Sequence, residues 1–214
     1  GISPFYGTGT GTFSSSTSDF NYGDDKYFFS DSDKYIVRLD YEAKSERYNM
    51  YLDYKETEDP VMSVTVEGAG EILFTDHGKG WAYAMEQSLA KPTIVKLLAD
   101  WVATDGKFYA TKSNGSEYGT DNGRLYLYYN YLDLTIDLNG HKIDRNLSEA
   151  KDNGMVFYLN DDDCKLTIKD SVGGGKITGG NNTGNGGAFF VYNGSVFIEG
   201  GEITGNKANN GAGI

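Results

Sequence analysis

Acidic side chains hold most of the positions where this chain could do chemistry. Asp161, Asp162 and Asp163 stand in a row with Asp170 shortly after, and Asp137 and Asp144 bracket His141. Carboxylates gathered on one face can hold a hard cation, with Ca2+ the fitting ion, or act as paired acid and base at a glycosidic bond. A cation site needs ligands converging from separate backbone positions, so three consecutive aspartates are expected to be a solvated turn. If an ion binds, Asp161, Asp162 and Asp163 are the metal candidates and Ca2+ is the ion. Lyase chemistry would add a basic group to take a proton. Arg145 and Lys165 are at hand, but no Asp/Arg pairing recurs along the chain. His141 follows the corner pair Asn139-Gly140 and is expected to make a structural hydrogen bond in preference to serving as a general base. His77, ahead of Gly78, reads as a loop residue. Cys164 has no Cys or His partner pattern and reads as a small buried hydrophobe. No catalytic residue is assigned.

The elements that must position these residues repeat. Gly174-Gly175-Lys176-Ile177-Thr178-Gly179-Gly180 returns 26 residues later as Gly200-Gly201-Glu202-Ile203-Thr204-Gly205-Asn206. Asn185-Gly186-Gly187-Ala188-Phe189 returns 25 residues later as Asn210-Gly211-Ala212-Gly213-Ile214. A period of that size marks a solenoid, in which each unit buries its apolar face against its neighbours. Leu166-Thr167-Ile168-Lys169 and Val196-Phe197-Ile198-Glu199 alternate at period two, placing Leu166, Ile168, Val196 and Ile198 on one strand face. Residues 173 to 214 carry 14 of the 29 glycines, so the corners fall where the backbone needs glycine's freedom. Three short strands per unit with inward apolar residues describe one coil of a parallel β-helix. Leu134 to Ile143 fits the same template, with Ile136, Ile168 and Ile198 spaced by 32 and 30 residues. The last unit stops after Gly211, so Gly211, Ala212, Gly213 and Ile214 are expected to be an open edge for self-association, unless more chain or a partner covers it. Thr178 and Thr204 align, but two rungs are too few for an ice-binding face.

The chain has 214 residues and a formal charge of −12, which repels nucleic acid and anionic membrane surfaces. No apolar run reaches the length of a membrane span, so no membrane insertion is expected, and the first residues lack the regions of a signal peptide. One cysteine rules out an intrachain disulfide framework. Abundant Asn, Gly, Ser, Thr and Tyr is a common composition among bacterial surface proteins. The four Asn-x-Ser/Thr sequons read as products of Asn-Gly corners.

Four segments follow. Residues 1–33 are a Gly/Ser/Thr-rich lead or linker, with Gly7 to Thr12 and Ser14 to Ser18 as its core. Residues 34–71 form a small antiparallel β module. Tyr35–Tyr41 and Tyr48–Tyr54 make a hairpin through Glu42 to Arg47, and Val61–Val66 is a third strand. Its tyrosines read as half-buried sheet residues before they read as a binding face. Residues 72–131 hold a helix and the first strands of the solenoid. Trp81, Met85 and Leu89 share one helical face, Pro92 stops the helix, and Thr93 to Leu98 is a strand. The helix is expected to cap the open end of the core, with Trp101 and Phe108 in the same cap. Thr111 to Gly123 reads as loop and Arg124 to Leu134 as tyrosine-rich strand. Residues 132–214 are the solenoid coils.

Trp81 to Trp101, the block Leu134-Thr135-Ile136-Asp137-Leu138-Asn139-Gly140-His141-Lys142-Ile143-Asp144-Arg145, and the Ile-Thr-Gly-Gly and Asn-Gly-Gly-Ala repeats resemble the large surface proteins of gut and rumen Firmicutes that carry pectin-lyase-like β-helices. More loosely, the repeats resemble those of polymorphic outer-membrane adhesins. The resemblance covers residues 72 to 214 and implies an all-β fold: a right-handed parallel β-helix with an N-terminal capping helix, after a small antiparallel module. It implies an adhesin-like, secreted or cell-surface bacterial protein that binds a glycan or a host or bacterial surface protein along its lateral face without catalysis. The pectate lyases and polygalacturonases of that fold work with carboxylate clusters on consecutive coils. A polysaccharide lyase or hydrolase using Asp137, Asp144 and Asp161 to Asp163 is therefore the first alternative. A structural unit stacking end to end into a stalk or fibre is the second.

Overall fold

The computed structural model describes residues 26–29, 35–42, 47–54, 59–112, 115–128 and 131–214, with side chains from residue 59 onward. Two compact units divide the chain, residues 1–58 and 59–214. In the first unit, β1 (Lys26–Phe29), β2 (Tyr35–Glu42) and β3 (Arg47–Tyr54) form an antiparallel sheet in that order. Tyr35 faces Tyr54 and Glu42 faces Arg47, the in-register pairing of a hairpin. The glycine-rich lead, the residues joining β2 to β3 and the tyrosine side chains of this unit lie outside the described residues.

In the second unit, β4 (Met62–Val66) and β5 (Glu71–Phe74) precede the helix α1 (His77–Gln87) and β6 (Thr93–Leu97). Then come β7 (Trp101–Val102), β8 (Thr120–Asp121), β9 (Arg124–Leu127), β10 (Asp133–Asp137) and β11 (Lys142–Asp144). The chain continues through β12 (Phe157–Lys169), β13 (Lys176–Thr178), β14 (Asn181–Asn185), β15 (Phe189–Ile198), β16 (Glu202–Ile203) and β17 (Lys207–Asn210).

Alternation builds the parallel ladders. Val95, Ile136, Ile168 and Ile198 pair in sequence across β6, β10, β12 and β15, with Leu134, Leu166 and Val196 two residues before the last three. Trp101, Ile143, Ile177 and Ile203 pair across β7, β11, β13 and β16. Asn181 pairs with Lys207 in the sheet of β14 and β17. The links between these partners are long enough for the crossover that a parallel pair requires.

Other links are too short, and they correct the expected fold class. Four residues, Glu67 to Gly70, join β4 to β5, so these strands can only run antiparallel. β4 also runs antiparallel to β6. Asn122-Gly123 alone joins β8 to β9, with φ of 50° and 78°, the doubly positive turn that suits a tight hairpin. The large sheet is therefore mixed, in the order β5-β4-β6-β10-β12-β9-β8 with β15 on β12, and the sheets curl into half of a barrel. A parallel β-helix with a capping helix does not describe it. The period of residues 165 to 214 does not extend through the first strands, where connections of two to four residues dictate antiparallel pairing. Met62–Val66, expected beside the tyrosine hairpin, instead pairs with β5 and β6.

The helix is also not an end cap. Asp76 Oδ1 accepts the Lys79 N–H at 2.7 Å, which caps the first turn. The helix packs on β4, β5 and β6. Gly78 allows close approach, since a Cβ there would strike the Tyr109 carbonyl oxygen. Trp81 is fully buried, its ring 5.7 Å from Trp101 and 6.4 Å from Phe157, and its Nε1–H reaches the Gly119 carbonyl at 2.8 Å. An indole whose polar tip is satisfied anchors a core without a desolvation penalty. Trp101 and Phe108, 4.9 Å apart, belong to the same core. Among the described residues no helix is long and apolar enough to cross a membrane.

Candidate functional site

Of the carboxylates singled out in the sequence, Asp137, Asp144 and Asp170 hold the backbone. Asp137 Oδ1 accepts the N–H groups of Asn139 at 3.0 Å and Ser171 at 2.9 Å. Burial pushes this carboxyl up, but the hydrogen bonds from Ser171 and Asn139 together hold it below its ordinary value. Asp170 spans two corners, Oδ1 accepting from Gly140 N and Oδ2 from Gly175 N, both at 2.8 Å. Asp144 accepts from Asn146 N at 2.8 Å and from Lys142 Nζ at 3.1 Å. His141 Nδ1 lies 3.3 Å from Asp100 Oδ1, which also accepts from Lys142 N, so this histidine does take a structural hydrogen bond at a corner.

The three aspartates are not a turn between strands. They sit within β12, where its register against β15 jumps from Asn160–Asn193 to Lys165–Ser195. Asp161 to Cys164 therefore stand opposite Gly194 alone and bulge outward, leaving Asp162 and Asp163 exposed. Gly194 has φ of 100°, and a Cβ there would press on the carbonyl oxygens of Asp161 and Cys164. Among the described residues no three His, Cys, Asp or Glu side chains converge as a metal site.

The basic residues are committed elsewhere. Lys165 Nζ pairs with Asp133 at 3.4 Å. Arg145, 2% exposed, donates from Nε to Gly106 O at 2.7 Å, from Nη1 to Met155 O at 2.9 Å and from Nη2 to Asn122 O at 2.9 Å. Burial, reinforced by the charge of Arg124, lowers its pKa to about 10. It binds three loops together and is no base. Cys164 is buried, and burial with the Asp161 charge pushes its thiol up to about 12. His77, expected in a loop, opens α1 with its ring stacked 5.5 Å from Trp101, 4° from parallel. Gly211, Ala212 and Gly213 accept, through their carbonyls, the N–H groups of Gly187, Ala188 and Phe189 at 3.0, 3.0 and 2.9 Å, and Ile214 is exposed.

What the structure brings together instead is a row of aromatic rings. Tyr126 pairs with Tyr158 and Tyr158 with Phe190, one from each of β9, β12 and β15. Their inner neighbours Leu125, Phe157 and Phe189 are buried, so alternation turns the three rings to the outer face. Tyr126 and Tyr158 have centroids 5.2 Å apart at 5° between planes, and Tyr158 and Phe190 are 5.3 Å apart at 10°. Touching rings are separated by about 3.5 Å. Parallel planes at these distances, close to the spacing of adjacent strands, turn the ring faces toward one another along the row.

Tyr128 stacks on Tyr126 at 4.3 Å, and Tyr192, 65% exposed, meets Phe190 edge-on at 6.5 Å. Arg124 backs the row, its Cζ 4.4 Å from the Tyr158 centroid and its Nη2 2.6 Å from Asp121 Oδ2. Asn160 Nδ2 donates to Tyr126 Oη at 3.4 Å. Burial and the neighbouring Tyr126 push the Tyr158 phenol up, against the opposing pull of Arg124, so it stays a neutral donor. A row of stacked rings that carries phenol and amide groups suits a ligand with both apolar C–H groups and hydroxyls.

The sequence carried a signal for this row. Tyr126, Tyr158 and Phe190 recur at 32 residues, the offset that also relates Leu134 to Leu166, each within an apolar–aromatic alternation. Compared with protein-family models, with characterised proteins and with solved structures, the chain matches none.

Proposed function

We propose that this chain is a non-catalytic, adhesin-like binding protein, secreted or displayed at a cell surface, that holds an extended glycan against the outer face of β9, β12 and β15. The in-register row Tyr126, Tyr158 and Phe190 carries this reading. The outer rims of the rings offer apolar contact to the C–H groups of a pyranose, and the phenol and amide groups beside them can hydrogen-bond its hydroxyls. A rigid sheet sets the rings in place before the ligand arrives, which lowers the ordering cost of binding. Asp137, Asp144 and Asp170 are tied to backbone N–H groups at corners. The net charge of −12 suits a soluble, outward-facing protein.

The test is calorimetric titration of the whole chain with a panel of plant and bacterial oligosaccharides, repeated with Tyr158→Ala. Binding by the parent that weakens at least about tenfold in the variant supports the proposal. Binding unchanged in Tyr158→Ala, saccharide turnover, or capture of protein partners with no saccharide binding would each overturn it.

A further inference from the structure

The geometry points to a docking surface for a second copy of this chain: the free edge of β15 in one molecule takes the free edge of β5 from the next, head to tail.

The two edges are the ends of one sheet. Ile72, Val64, Val95, Ile136, Ile168 and Ile198 pair in turn from β5 to β15 and share its inward face. The four in the middle are 0–1% exposed, whereas Ile72 is 43% and Ile198 41% exposed. An inward residue of this row is therefore buried wherever strands flank it on both sides, and each end of the row leaves an isoleucine partly uncovered. Among the described residues β5 pairs with β4 alone and β15 with β12 alone. Free edges are ordinarily guarded by charge, proline or shortness. β15 has ten residues, Phe189 to Ile198, and none of them is charged or a proline.

Strand direction and side-chain match decide what fits that edge. β5 runs antiparallel to β4 and β4 antiparallel to β6, so β5 points the same way as β6, β10, β12 and β15. Laid without reversal beside β15 of another copy, it continues the parallel ladder. With Ile72 beside Val196, Leu73 meets Phe197 and Phe74 meets Ile198, so three apolar side chains of each edge coincide and inward residues stay inward. Leu73 and Phe197, both outward, are 57% and 47% exposed. Glu71, the one charged residue of β5, falls beside Ser195, whose neighbour on β12 is Lys165. Each copy carries one edge of each kind, so the contact does not close on itself and copies add in line. The net charge of −12 opposes their gathering, and salt should screen that repulsion.

Sedimentation equilibrium of the whole chain over a concentration series tests this, with Leu73→Lys to block one edge and Phe197→Lys to block the other. The parent's mean mass should climb past that of a dimer, and climb further as salt rises from about 50 to about 500 mM. Each variant alone should stay monomeric. An equimolar mixture of the two should form dimers and stop there, because it retains one intact edge of each kind. Both positions are exposed, so both variants should keep the parent's urea midpoint. Leu73→Glu and Phe197→Glu should repeat the pattern, since burying a charge of either sign blocks the contact. A parent that stays monomeric up to about 1 mM would overturn the proposal. So would dimers of Leu73→Lys by itself, which would mean that β15 pairs with β15, or a mixture that fails to associate.

Discussion

The rings of Tyr126 and Tyr158 lie 5.2 Å apart and 5° from parallel although 32 residues separate them in the chain. That stack exists only because Phe157 and Leu125 face inward at the same level, which fixes the register of β9 against β12. The two rings should therefore be energetically coupled. In a double-mutant cycle of Tyr126→Ala and Tyr158→Ala, urea unfolding should give a coupling of about 0.5–1.5 kcal/mol. Trp81 and Trp101, the chain's two tryptophans, both lie in the core of residues 59–214, so their fluorescence reports that unit alone. Strictly additive effects would show that the rings do not stack.

Arg145 should matter more to stability than any exposed ion pair. Its guanidinium fills a buried space among Gly106, Asn122, Asn153 and Met155 carbonyls, with no carboxylate partner among the described residues. Arg145→Ala leaves those carbonyls buried and unpaired, at a cost of about 3 kcal/mol or more. Arg145→Lys should recover only part of this, because an ammonium cannot reproduce the planar fork. Urea midpoints read by tryptophan fluorescence check both, and equal stability of Arg145→Lys and the parent would refute the fork.

A pH dependence follows from His77. Burial holds its pKa below the ordinary 6.5, outweighing the Ala99 carbonyl and the nearby aspartates. As pH falls through about 6.5, the unfolded chain takes up a proton that the folded chain refuses, so the unfolded state gains. Stability contributed by neutral His77 is thus full above 6.5 and lost as pH drops toward the folded value. The urea midpoint should decline between pH 7.5 and 5.5. In His77→Gln, which cannot titrate, that part of the decline should disappear; an identical pH profile would assign it to other groups.

Local patterns were legible in the sequence and the mixed sheet was not, for a physical reason. Leu134, Ile136, Leu166 and Ile168 announce an inward face by alternation, and Trp81 and Met85 a helix face, because those signals depend on neighbours in the chain. Val61–Val66 reads as an antiparallel strand, but β5 and β6, its partners in the structure, lie in the segment that the period of residues 165 to 214 assigned to the solenoid. Asn122-Gly123 was a hairpin signal inside a stretch that otherwise reads as loop. The partners of Arg145 are backbone carbonyls, which leave no mark in a sequence. The aromatic row was hidden for a different reason: its period is visible only when Leu125, Phe157 and Phe189 are set on one level, and the repeat of glycines nearby has a different length.

Carboxylates misled because an aspartate that caps a corner and one that binds a ligand look alike in sequence, and the structure separates them by what they accept. Asp170 takes the N–H of Gly140 and of Gly175, two corners of successive ladders, one on each oxygen. Asp162 is exposed on the bulge of β12. Asp170→Ala should therefore orphan two backbone donors and cost about 2–4 kcal/mol, because hydrogen bonds to a charged acceptor are the stronger kind. Asp162→Ala should change stability by no more than about 0.5 kcal/mol, as for most exposed substitutions. The same pair of variants separates the two functional readings. A catalytic or Ca2+-holding role at the bulge requires Asp162→Ala to lose function with stability intact. A binding face on β9, β12 and β15 requires Asp162→Ala to keep its glycan affinity and, by removing one charge, to bind an acidic oligosaccharide slightly better than the parent does.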